Sequence, residues 1–495
     1  MPVTPTYPGV YVEEIPSGVR TIVGVSTSTT AFVGRALKGP VRTPTVIHSF
    51  AEFGRIYGGL WADAPMTFAV QQYFANGGAT AVIVRVFPNP DPSRATWTLG
   101  GLILVASSPG GWAKDLLVEM DIHSADPANL FNLTVYDGTT TPATPLETIR
   151  NLSFNASSGA FVTKALVQKS EYLRVSNAGG AVGNVGPVAA VGGDDGAALG
   201  NTDIQGDETD RTGIFALLDT DIFNLLCLPP PKPDDPITGP TWTAAAKFCA
   251  DHRAMLLVDA EDDKPADAAI NAPALVASDK KNAAIFYPHI LVANPLSSTG
   301  AIDDYVPCGA VAGIFAQTDA ERGVWKAPAG IEATLAVSGL SRSLTDGDNG
   351  ILNPVGVNCL RTFPVYGTVV WGSRTVDGAD VMASEWKYVP VRRTALFLEE
   401  SLYRGLKWVV FEPNAAPLWA QIRLNVGAFM QNLFRQGAFA GTTPREAYFV
   451  RCDADTTTQT DVNLGIVNIL VGFAPLKPAE FVILKLQQMA GQIQA

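Results

Sequence analysis

At 495 residues, with 47% hydrophobic and only 17% charged residues, the chain is long enough for about three domains. So little charge implies a surface covered in part by copies of the same chain. A net charge of −12 excludes the basic, aromatic-flanked footprint of a nucleic-acid binder, and no apolar run reaches the ~18 residues of a membrane span.

The charge is uneven. From Val391 to Arg451 there are eight Lys or Arg against four Asp or Glu, whereas acidity gathers at Asp194-Asp195, Asp207-Glu208, Asp234-Asp235 and Glu261-Asp262-Asp263. The five cysteines, Cys227, Cys249, Cys308, Cys359 and Cys452, are odd in number and mostly set in apolar runs. That pattern points to buried free thiols made in a reducing cytoplasm. The opening MPVTPTYPGV shows no basic segment followed by an apolar one, so no secretory signal is expected.

In chain order, Val10, Tyr11, Val12, Glu13 and Ile15 form a short β-prone run between Pro8 and Pro16. The prolines limit edge pairing, and with no hairpin partner nearby the strand needs a sheet to join, its own or a neighbour's. Ala31 to Gly34 reads as a strand and Leu37 to Pro40 as a turn. A helix begins at Ser49-Phe50, another runs from Ala64 to Phe74, Asn76-Gly77-Gly78 stops it, and Ala81 to Phe87 is a buried strand. Pro88 to Pro92 reads as a domain edge. From Trp97 to about Val191 the chain is rich in Gly, Ser, Thr and Asn, with strands at Leu130 to Tyr136 and Tyr172 to Val175, which predicts a β-rich insertion.

Phe223 to Leu228, the helix Trp242 to Arg253, and the strands Ala254 to Asp259 and Ala283 to Tyr287 return the chain to an α/β pattern. Further on, Arg393, Phe397, Glu400, Arg404 and Lys407 recur at spacings of four and three, one helical face. Ala395, Leu398, Leu402, Leu406 and Val409 make the opposite, apolar stripe. Glu400 and Arg404 stand in the favourable i, i+4 order, worth roughly 0.2–0.5 kcal/mol when exposed, so Arg393 and Lys407 are expected to face a partner or solvent. A second helix, Ala416 to Phe434, carries Leu418, Ile422, Val426, Phe429 and Leu433 on one stripe. Strands are expected at Glu446 to Arg451, at Gly465 to Phe473, and at Glu480 to Leu486, where Phe481, Val482, Ile483, Leu484 and Leu486 look made for pairing.

The wording LNPVGVNCLRTFPVYGTVVWGSRT, then EWKYVPVRR, then FEPNAAPLW, together with the NGG before the Ala81 strand, resembles contractile tail sheath proteins of bacteriophages and phage-tail-like injection particles. The resemblance is most specific over Tyr7 to Val86 and Leu352 to Gln488. It implies a multidomain α/β and α+β chain. Residues 21–92 and 192–365 would build a subtilisin-like α/β domain, 93–191 a β-rich insertion, and 366–495 a C-terminal α+β sheath domain forming the inner, tube-facing layer. An arm at 1–20 would join a neighbour's C-terminal domain, and the C-terminal strand would act as a second arm.

The implied function is mechanical: stacked hexameric rings assemble in the bacterial cytoplasm around an inner tube, then contract and drive the tube through a target envelope. Implied partners are six copies per ring, the inner tube protein, and baseplate and tail terminator or cap proteins, with no nucleic acid and no direct membrane insertion. The alternative is a non-contracting, self-polymerising surface protein.

No cofactor, metal or catalytic residue is expected. Asp259, His289 and one of Ser297, Ser298, Ser341 or Ser343 follow in a subtilisin-like chain order, but none of these serines stands in a nucleophile turn, and fold likeness alone does not bring activity. Cys249 and His252 lack a second ligand pair. The glycine-rich Gly192 to Gly196 lacks the Lys and Ser/Thr of a phosphate loop, and Asp346 to Gly350 lacks calcium-ligand spacing.

Overall fold

Residues 20–88 and 93–485 are described by the computed structural model. They divide into two compact units. The larger is 27–321 with 328–389; the smaller comprises 322–327 with the described parts of 1–26 and 390–495.

The larger unit is built on an eight-stranded sheet in the order Gly367–Val370, Val357–Phe363, Ala283–Tyr287, Met255–Asp259, Leu225–Cys227, Thr30–Gly34, Ala81–Arg85, Thr45–Ile47. The strands pair in parallel except at the two edges, where the pairings are antiparallel. The central strands are buried on both faces, which is why they read as continuous apolar runs. Side chains alternate between the faces: Leu256 and Val258 enter one core with Trp242 and Phe248, while Met255 and Leu257 enter the other with Tyr73 and Phe315.

On the second face the helices Pro65–Ala75 and Cys308–Arg322 approach closely through two glycines. A methyl group at Gly309 would overlap the Ala69 carbonyl, and one at Gly313 would lie 2.6 Å from the Tyr73 carbonyl oxygen. At one end of the sheet the fully buried Arg85 spreads its guanidinium over the carbonyls of Ala36, Leu37, Gly39 and Pro109. Those bonds explain why a charge ends an apolar strand: it holds the turn predicted at Leu37 to Pro40, satisfying its donors as burial requires.

Residues 95–192 contain two antiparallel four-stranded sheets around their own core, which includes Trp97, Leu104, Val118, Leu133 and Leu166. Trp97 Nε1 donates to the Leu116 carbonyl at 3.2 Å, tying one sheet to the other. The expected strands lie at Phe131–Asp137 and Leu173–Asn177.

The smaller unit is organised on the helices Val389–Gly405, which begins at the boundary between the units, and Ala416–Arg435. The predicted stripe Leu418, Ile422, Val426, Phe429 and Leu433 is buried and packs with Ile22, Leu398 and Cys452. The chain at 20–25 is fastened there by Arg20 N–H to Asn425 Oδ1 at 3.1 Å and Val25 N–H to Ser401 Oγ at 3.2 Å.

A two-stranded antiparallel sheet, Tyr448–Arg451 with Leu470–Phe473, completes it. Both strands are shorter than the sequence suggests. Thr443 and Glu446 form a capping box that makes Pro444–Ala447 a helical turn, and Thr458 with Asp461 does the same for Gln459–Asn463.

Candidate interaction surfaces

The Val389–Gly405 helix corrects the expected charged face. Every residue from Val391 to Leu396 is buried, and Arg393 is only 3% exposed. Amphipathic spacing fixes which residues share a face, but the first half of this helix is buried all round, so Arg393 does not face solvent. Arg404 Nε donates to Glu400 Oε1 at 2.6 Å, with Glu400 itself largely covered. Phe397, on the same predicted face, packs near Phe429 with ring centroids 6.2 Å apart. The helix stops at Gly405, against Ile22, so Lys407 lies in a following 3-10 turn, its Nζ 5.4 Å from the centre of the Tyr403 ring.

The exposed line keeps Lys407 but runs through Tyr403 and Glu399, one position before Arg404 and Glu400. Beyond it, Val410 is 63% exposed and Phe411 fully so, with a left-handed φ of 73°, a conformation a bulky residue rarely adopts. Sequence reasoning missed Tyr403 and Phe411. An aromatic four residues before Lys407 and the VVFEP stretch were the available signals.

Of the predicted pairing strands, Val10, Tyr11, Val12, Glu13, Ile15 and Leu486 lie outside the described residues. Phe481, Val482, Ile483 and Leu484 form no strand within this chain, and each is at least 73% exposed. In the two-stranded sheet, Phe449 and Leu470 are about half exposed.

A cleft of about 720 Å³ opens at the carboxyl ends of the parallel strands. Asp234 and Asp235 reach it from the loop after Leu225–Cys227, Asp259, Glu261, Asp262 and Asp263 from the end of Met255–Asp259, and Asp303 and Asp304 from a neighbouring strand. Asp259 Oδ1 accepts the Cys308 N–H at 2.8 Å, at the start of the Cys308–Arg322 helix. Burial raises its carboxyl to about 6.

His289 lines the same cleft, and its Nδ1 lies 2.8 Å from Asp304 Oδ1. Burial opposes charge on this imidazole, but the Asp304 bond and the surrounding carboxylates outweigh it and hold its pKa above the ordinary value.

Asp259 and His289 thus line the same cleft. Ser341 Oγ donates to Asp262 Oδ1 and approaches the His289 carbonyl rather than its ring, and Ser297 bonds Thr299.

The remaining motifs are structural. His252 Nδ1 lies 2.9 Å from the Phe248 carbonyl oxygen. Asp346–Leu352 is a helix capped by Thr345, and Asp195 holds the Gly111 N–H at 2.8 Å. All five cysteines are buried and free, and burial raises each thiol's pKa, which suppresses thiolate reactivity.

Two family models match the chain: the phage tail sheath protein central domain over 208–376 and the phage tail sheath C-terminal domain over 382–489, together more than half its length. A prophage major tail sheath protein of Pseudomonas aeruginosa is 28% identical over 190 residues, 37% of this chain and 46% of that protein, so the match spans about half the length of that curated relative. Among solved structures, the sheath of an extracellular contractile injection system in the contracted state covers 98% of this chain and 99% of its own, with 22% identity and a TM-score of 0.61. The contracted helical sheath of the anti-feeding prophage gives 24% identity, 98% and 100% coverage and a TM-score of 0.59. The sheath tail protein of Listeria innocua gives 13%, 92% and 96%, and 0.62.

Proposed function

Because the chain belongs to the phage tail sheath family, we propose that it is a contractile sheath subunit, polymerising as stacked six-membered rings around an inner tube and shortening to drive that tube through a target envelope. One observation carries the polymerisation. The smaller unit carries a two-stranded sheet, packed on its helical core, whose outer edges pair with no further strand among the described residues, while the apolar Phe481 to Leu484 segment lies exposed and outside any strand. Strands supplied by neighbouring copies would complete such a sheet through main-chain hydrogen bonds, a link that survives large rotations of the domains it joins. The run from Val10 to Ile15 is the proposed second arm.

Exposure of the Glu399, Tyr403 and Lys407 line and of the Phe411 knuckle supports a tube-facing surface there, with Glu400 and Arg404 as an ion pair behind it. Weak, salt-screened contacts repeated around a ring suit an interface that must let go during contraction. The larger unit, with helices on both faces of a mostly parallel sheet, supports a subtilisin-like scaffold carrying mechanical load, and the Ser341 geometry argues against hydrolysis there. Buried reduced thiols favour assembly in a reducing cytoplasm. Baseplate and terminator proteins would cap the stack.

Electron microscopy of the purified full chain tests this reading. Hollow, ridged tubes of six-fold symmetry are the expected product, and flat lattices or only monomers would refute it.

A further inference from the structure

We propose that the acidic cleft at the carboxyl ends of the parallel strands is a binding site for an extended organic cation bearing several ammonium or guanidinium groups.

The cleft is lined by carboxylates from three chain segments and by no lysine or arginine. Some of that charge is answered locally: Arg342 lies 3.3 Å from Asp262, and Lys232 3.7 Å from Asp235. Glu261 and Asp234 carry no ion pair among the described residues. Deeper in, two oxygens lack a donor. Asp259 is 8% exposed with Oδ2 unpartnered, and Gln72, on a different helix, is 5% exposed with Oε1 unpartnered. Both residues line the cleft.

Buried acceptors without donors are costly, and an N–H-rich cation satisfies them while neutralising the carboxylates around them. Burial is the main cause of the raised Asp259 carboxyl, and the nearby His289 offsets it only in part.

Among the described residues no three carboxylate, imidazole or thiol groups converge as they would on one metal ion. Charge spread over a cleft of about 720 Å³ instead matches separate cationic groups on one flexible chain. The wall adds the partly exposed Tyr305, backed by the buried Phe68 at 4.7 Å, an aromatic ring of the kind that holds alkyl-ammonium and guanidinium groups. The shared chemistry comes from a free polyamine or from a basic segment of a partner protein.

Calorimetric titration of the full chain at low salt, with spermidine in one arm and a hexa-arginine peptide in the other, tests the site. Saturable binding of at least one probe is expected, weakened about tenfold by Asp259→Asn and by Glu261→Gln and unchanged by Asp126→Asn on an exposed turn of the β-rich region. Tighter spermidine binding assigns a polyamine, and tighter peptide binding assigns a basic protein segment. Absence of saturable binding by either probe, or equal weakening by all three substitutions, overturns the proposal. Glu261→Gln keeps the test decisive if Asp259→Asn fails to fold, because Glu261 lies in a loop after its strand.

Discussion

Arg404 Nε bonds Glu400 Oε1 at 2.6 Å on a helix whose other arginine of the same face, Arg393, is buried. The charges of this face are therefore structural before they are available to a partner. Arg393→Glu should lower unfolding stability by about 3–5 kcal/mol, as placing a wrong charge in a buried position does. Lys407→Glu, in an exposed turn, should change it by less than about 0.5 kcal/mol and weaken tube association most at low ionic strength. Denaturant unfolding and co-sedimentation with tube protein measure the two effects.

The close approach of the Pro65–Ala75 and Cys308–Arg322 helices rests on Gly309 and Gly313. Alanine at either position should cost about 1–3 kcal/mol by overpacking. A lower thermal midpoint at both, with Gly350→Ala, which meets no neighbouring atom, as a mild control, is the expected pattern.

Asn358 imitates a strand neighbour toward Arg374: its Oδ1 accepts the Arg374 N–H at 2.6 Å and its Nδ2 donates to the Arg374 carbonyl at 2.8 Å, with both residues fully buried. The Arg374 guanidinium meanwhile holds Asp380 at 3.0 Å. Asn358→Leu removes these bonds and one to the Ile285 carbonyl, and should cost about 2–4 kcal/mol. Chemical denaturation checks it.

The Asp259 carboxyl is raised by burial to about 6, so the folded chain binds a proton that the unfolded chain releases between about pH 4 and 6. The stability this proton contributes is fully present below that window and lost as pH rises through it, on the order of 2–3 kcal/mol. His289, also raised, loses its share as pH climbs further. Thermal midpoints should therefore fall between about pH 4.5 and 7.5 more steeply in the wild-type chain than in Asp259→Asn. Equal slopes would contradict the assignment.

Much of this architecture was legible because burial on both faces writes itself as apolar runs. Ala81 to Arg85 and Ala283 to Tyr287 could hardly be read otherwise. The Ala416–Arg435 stripe was equally open, since one packed face leaves a 3.6-residue period. Arg393 was misread because periodicity identifies a face without saying what covers it. The late start of the Tyr448 strand was encoded in the capping box at Thr443, a local signal overridden by the apolar run beside it. The pairing of Gly309 with Ala69, and of Gln72 with the acidic loops, depends on tertiary contacts that no local pattern carries.

The proposed link between copies of this chain is a strand added to each other's small sheets. Its most direct test is the double substitution Val482→Pro and Leu484→Pro. These residues are exposed and outside any strand in the single chain, so proline there should leave the monomer folded, with an unchanged thermal midpoint, while blocking ladder hydrogen bonds. A stable variant that forms no tubes under the electron microscope, where the wild-type chain does, is the expected result. Tubes of normal length and symmetry from the variant would contradict it.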